Sequence, residues 1–114
     1  MNIADRSRQV RGAQNQSLFR EVNERIGELS DRFGPGRLAG WVCECADEAC
    51  TRRLELSVQE YEAIRADGNR FPVLAGHEKL DIERVVERHD QYVVVEKLGE
   101  GAVVAREIDA RSRS

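Results

Sequence analysis

Residues 41–57, WVCECADEACTRRLELS, carry the reading that decides the fold. Trp41 to Cys45 alternates toward one face, Ala46-Asp47-Glu48-Ala49 has turn composition, and Arg52 to Leu56 alternates again. Two period-two runs joined by a short polar turn are a β-hairpin, here with Cys43, Cys45 and Cys50 gathered at its tip. If residues 40–45 are strand, Cys43 and Cys45 point to the same face. Their Cα atoms would then lie about 6.6 Å apart with parallel side chains, a poor geometry for a disulfide. A metal ion bridges such a pair more easily, and the turn returns Cys50 as a third thiolate, so the tip reads as a zinc-binding hairpin.

A closed structural site takes four protein ligands, and the chain has two histidines, His77 and His89. His77 is preferred. Gly76 gives its loop freedom to fold over the cluster, and Glu78 is placed to accept from its second ring nitrogen. His89 lies between Arg88 and Asp90 at the expected tip of a second hairpin. Glu44, Asp47 and Glu48 make the surroundings acidic, which disfavours a free thiolate and hence a catalytic cysteine. A divalent cation reverses that local charge and holds the thiols deprotonated. The expected metal ligands are therefore Cys43, Cys45, Cys50 and His77, with Zn2+ as a structural cofactor.

Upstream, Phe19, Val22, Ile26, Leu29 and Phe33 recur at helical spacing, with Arg and Glu on the other side and Gly34-Pro35-Gly36 as the stop. The stripe is expected to pack a long N-terminal helix on the sheet; a self-paired coiled coil is the rival, weakened by having only two heptads. Downstream, Ser57 and Glu60 have capping-box spacing and start a short helix bearing Val58, Tyr61 and Ile64. Phe71 to Leu74 is extended, with Pro72 suited to an edge. Tyr92 to Glu96 is a β-branched strand, paired through a turn at His89-Asp90-Gln91 with the ambiguous stretch Ile82 to Glu87. Ala102 to Asp109 fits either a last strand or a helical turn. The fold class is α+β: a long N-terminal helix on a small, mostly antiparallel sheet, with one short helix.

At 114 residues, the length is that of one domain, expected over 15–109, flanked by a disordered arm (1–14) and a disordered tail (110–114). Apolar runs are far too short for a membrane span, and the first twenty residues lack the apolar core of a signal peptide, which points to the cytoplasm. Three cysteines, an odd number, suit metal or thiol chemistry better than a disulfide framework. Both ends are Arg-rich around an acidic body, without interleaved aromatics, which argues against a nucleic-acid partner. No phosphate-binding loop, dinucleotide fingerprint or HExxH is present, and no carboxylate pair stands out for acid–base work.

The Trp41 to Cys45 run with Cys50, Glu60-Tyr61-Glu62 with Arg65, Phe71 to Glu78 ending in Gly-His-Glu, and Val85 to Arg88 followed by Tyr92 to Lys97 form a pattern. It resembles a group of short uncharacterised (hypothetical) proteins of high-GC Gram-positive bacteria over about residues 17–98. The resemblance implies that Cys43, Cys45, Cys50 and His77 belong to one recurring set, and it implies no mechanism. The expected function is a cytoplasmic, non-enzymatic module stapled by zinc that binds another protein. The alternatives are a redox or metal sensor built on the cysteines, and a nucleic-acid-associated accessory protein using the tails.

Overall fold

The computed structural model describes residues 3–30, 38–47, 49–109 and 111. Its elements run α1 (Ile3–Ser30), β1 (Leu38–Val42), β2 (Arg53–Ser57), α2 (Val58–Arg65), β3 (Arg70–Leu74), β4 (Glu83–Arg88), β5 (Tyr92–Lys97) and α3 (Gly99–Ile108). The fold is α+β, as the sequence indicates, with two small antiparallel sheets in place of one and three helices among the described residues. None of these helices is long and apolar enough to cross a membrane.

The β1–β2 hairpin pairs Trp41 with Leu54 and Val42 with Arg53. Ser57 then closes the capping box: its N–H donates to Glu60 Oε1 at 3.0 Å while Glu60 N–H donates to Ser57 Oγ at 3.1 Å. Two otherwise orphaned donors are thereby satisfied at the start of α2. The helix carries Tyr61 back over the hairpin, where its ring stacks on Trp41 with centroids 4.1 Å apart.

The second sheet has strand order β3-β5-β4. Pro72 sits in the edge strand β3 opposite Val94. Its carbonyl faces the free edge, where it accepts from Glu44 N–H at 3.0 Å; its missing N–H faces the same way, so no ladder bond is lost. Residue 44 thus stitches the hairpin's end to the second sheet. The β4–β5 hairpin turns at the expected place, with His89 N–H donating to Tyr92 O at 2.9 Å.

Two expectations for the helices need correction. First, α1 reaches back to Ile3, through the stretch expected to be an arm. It is held there by α3, which is a helix and not a strand. Gln9 Oε1 accepts from Glu100 N–H at 3.2 Å, and a Cβ on Gly101 would lie 3.0 Å from the Gln9 carbonyl oxygen. Glycine at 101 allows that close approach. At the other end, Arg111, expected in a loose tail, donates to Glu24 at 2.8 Å and to Glu62 at 2.7 Å.

Second, the apolar stripe of α1 turns mostly outward, although Ile26 packs half-buried against the core. Val22 is 47% exposed and Leu29 55%, Leu18 is exposed too, and Phe19 is half-buried. Phe33 lies outside the described residues, as do Gly34, Pro35 and Gly36. The inward face is instead Gln9, Ala13, Gln16, Arg20 and Asn23, all buried. The reason is that the loop after β1 presents buried polar groups to the helix, and these must be hydrogen-bonded. Periodicity groups residues by face; here the partner chemistry decides which face turns inward.

Candidate metal centre

Beyond β1 the chain stays extended: Cys43 N–H donates to Arg52 O at 3.1 Å and Glu44 N–H to Pro72 O. Side chains alternate along it, with Cys43 and Cys45 buried on one side and Glu44 buried on the other. At the turn, Asp47 Oδ1 accepts from Ala49 N–H at 3.0 Å and Asp47 O accepts from Cys50 N–H at 3.0 Å. This returns Cys50 toward the other two cysteines. Glu48 lies outside the described residues.

His77 arrives from the turn after β3. Gly76 has φ of 97°, a left-handed conformation that favours glycine, and His77 N–H donates to Leu74 O at 2.8 Å. The ring's Nδ1 lies 3.6 Å from Cys43 Sγ and 3.5 Å from Cys50 Sγ. The ligand atoms of Cys43, Cys45, Cys50 and His77 all lie within 4.8 Å of one another, close enough to hold one metal ion. All three cysteines are free thiols. Cys43 and Cys45 form the buried floor, while Cys50 and His77 form a half-buried outer side.

The three thiols compete for negative charge. The hydrogen bond from Cys43 holds the Cys45 thiol down, at about 5, while the same contact, with burial, pushes Cys43 far up. Burial also raises Cys50. Without a cation one thiolate is favoured at the expense of its neighbours; a divalent ion removes the conflict by stabilising all of them together. The edge of β3 contributes one fixed donor, Leu74 N–H, at 3.2 Å from Cys43 Sγ.

Glu44 does not face the cysteines, contrary to the acidic surroundings expected of it. Its carboxylate accepts from Arg20 Nε at 3.0 Å, Asn23 Nδ2 at 2.8 Å and Tyr61 OH at 2.7 Å. Its carbonyl accepts from Gln16 Nε2 at 3.0 Å. Asn23 also engages both backbone groups of Val42, its Nδ2 donating at 2.8 Å and its Oδ1 accepting at 2.7 Å. Arg20 lies over the Phe71 ring, 3.9 Å from its centroid, and donates to the carbonyls of Gly68 and Arg70. The polar face of α1 therefore clamps residues 42–44 from behind and fixes the cysteine side chains in front. Gln16, Arg20, Asn23 and Tyr61 were missed in the sequence; their signal is the polar 16, 20, 23 spacing on a helix beside the apolar stripe.

Glu78 has a different job from the one expected. Its Oε2 accepts from Gly76 N–H at 2.9 Å, bracing the turn that presents His77. His89 is not part of the cluster. It is exposed at the β4–β5 turn, stacks on Tyr92 at 4.4 Å and pairs with Glu87 at 3.0 Å. No known protein family, curated protein or solved structure matches this chain.

Proposed function

We propose that the chain is a small non-enzymatic cytoplasmic module, held closed by a structural zinc ion on Cys43, Cys45, Cys50 and His77, that acts by binding another protein. The observation that carries the reading is the convergence of four protein ligand atoms. Zinc bonds of about 2.3 Å to sulfur and about 2.05 Å to nitrogen, at tetrahedral angles, put sulfur and nitrogen about 3.6 Å apart. The observed separations of 3.6 and 3.5 Å match that edge. Three thiolates and an imidazole suit zinc by softness and geometry. Four protein ligands fill a tetrahedron and leave no position for substrate, which favours a structural role over a catalytic one.

Support for the binding half comes from the outward stripe of α1, where Leu18, Val22 and Leu29 lie exposed. Such side chains are costly to leave in water when they lie contiguous, and an interface removes that cost. Cobalt substitution tests the metal half. A tetrahedral thiolate-rich site gives intense visible absorption that changes in His77→Ala; a weak octahedral spectrum unaffected by that change contradicts it. For the binding half, a partner recovered with the wild-type chain should be lost with Val22→Glu, and retention would contradict it.

A further inference from the structure

We propose that the cleft between the first half of α1 and the segment leading into β4 is a binding site for a phosphate dianion, free or carried by a small organic monoester. This goes beyond the zinc-module reading and uses none of the metal ligands. The cleft encloses about 230 Å³, with Arg8, Arg11 and Lys79 around it and Asn15 at its side. At about 30 Å³ per water that is room for roughly eight waters, or a phosphate with a small organic body.

Its floor is built by close packing. A Cβ on Gly12 would stand 2.9 Å from Ile82 Cδ1, 3.1 Å from Lys97 Nζ and 3.5 Å from Ala46 Cβ. Any larger residue at 12 would have to displace the ends of the Ile82 and Lys97 side chains where α1 crosses, and glycine leaves Ile82 and Ala46 lining an apolar base. Lys97, wholly buried just beneath, donates to Glu83 Oε2 at 3.3 Å.

The charge pattern selects the ligand. The chain carries a net −3, yet three cations line this one cleft. Arg8 is held by the Asp81 carboxylate. Among the described residues, neither Arg11 nor Lys79 has an ion-pair contact within 4.0 Å; Lys79 acts on Asp81 only as a longer-range attraction. Two cations without a contact partner match a dianion better than a monocarboxylate, and a guanidinium offers forked donors to phosphate oxygens. The larger cleft of about 510 Å³ beside Glu60 and His89 lacks this pattern. There His89 is taken by Glu87 and Glu60 by Tyr92.

The site touches the metal loop. Asn15 Nδ2 donates to Ala46 O at 3.3 Å, one residue after Cys45, and Lys79 follows His77 by two residues. Amide NMR titration of the full metal-loaded chain, at constant ionic strength, tests the proposal with inorganic phosphate, phenyl phosphate and acetate as probes. The expected result is saturable shifts at Gly12, Asn15, Ala46 and Lys79 with both phosphates and none with acetate. Tighter binding of phenyl phosphate assigns an organic phosphate that covers Ile82; equal binding assigns the free anion. Arg11→Gln with Lys79→Gln should weaken binding by about tenfold or more, with metal content unchanged. Asp81→Asn, which frees Arg8, should strengthen it. Absence of saturable shifts, equal shifts with acetate, or indifference to the Arg11 and Lys79 changes would overturn the proposal.

Discussion

Replacing Glu44 by Gln is the most searching perturbation of the clamp behind the metal loop. The substitution keeps the shape and removes one charge. Glu44 is fully buried and receives three side-chain donors, one of them the guanidinium of Arg20, itself buried. Removing one partner of a buried ion pair leaves the other uncompensated and costs roughly 3–5 kcal/mol. Arg20 keeps the carbonyls of Gly68 and Arg70 and its stacking on Phe71, so the lower end applies, about 3 kcal/mol. At a urea dependence of about 2 kcal/mol per molar, the unfolding midpoint of the metal-loaded chain falls by about 1.5 M. Arg20→Met combined with Glu44→Gln removes both charges, and the double variant should lose about 1–2 kcal/mol less than the sum of the singles. Zinc affinity of Glu44→Gln should fall about tenfold or more, because the strand that presents Cys43 and Cys45 loses its anchor. A stability change below about 1 kcal/mol together with an additive cycle would refute the view that this carboxylate is the ionised partner of Arg20.

The remaining expectations concern the fourth ligand, the two faces of α1 and the acid limit. His77→Ala should weaken zinc binding by about tenfold or more, about 1.4 kcal/mol, in competition with a chromophoric chelator, whereas His89→Ala should leave it unchanged. The reverse result would move the site to the second hairpin. Asn23→Ala should cost roughly 2 kcal/mol, since it orphans both backbone groups of Val42 and removes one donor to Glu44, whereas Val22→Ala should change stability by less than about 0.5 kcal/mol. Equal costs in thermal unfolding would show that the apolar stripe packs inward after all. Burial pushes the Asp109 carboxyl up, but the Arg65 guanidinium beside it pulls it further down, and the Arg111 hydrogen bond lowers Glu62. Both groups have folded values below their unfolded ones, so their stabilisation is complete above about pH 5 and is lost as the pH falls from there through the folded values. Glu62 is half-exposed and counts for less. Asp109→Asn should lower stability at neutral pH and flatten the loss below about pH 5; an unchanged acid profile in urea titrations contradicts the assignment.

Local features were the legible part of this sequence. The β1–β2 hairpin follows from alternation on both sides of a polar turn, and α2 starts where Ser57 and Glu60 satisfy each other's backbone. The cysteine grouping was legible for the same reason, because two of the three thiols share one strand face by period alone. His77 enters from 27 residues beyond Cys50, and only the order of residues around Gly76 hinted at the turn that delivers it. The orientation of α1 was hidden. Its apolar stripe is the stronger sequence signal, yet Gln16, Arg20 and Asn23 face inward because Glu44 and Val42 supply their partners from distant sequence. Nothing in the pattern of one helix reveals that a buried carboxylate awaits it. α3 was ambiguous because a short run such as Ala102 to Ala105 suits either a strand or a helix, and its packing on α1 through Gly101 decides the matter.

Elemental analysis of the purified full chain, combined with timed titration of its thiols before and after a strong chelator, tests the metal assignment most directly. The expected result is about one zinc per chain, with Cys43, Cys45 and Cys50 slow to react until the chelator removes the metal and quick thereafter. A metal-free chain with three rapidly reacting thiols, or one carrying iron in place of zinc, would contradict it.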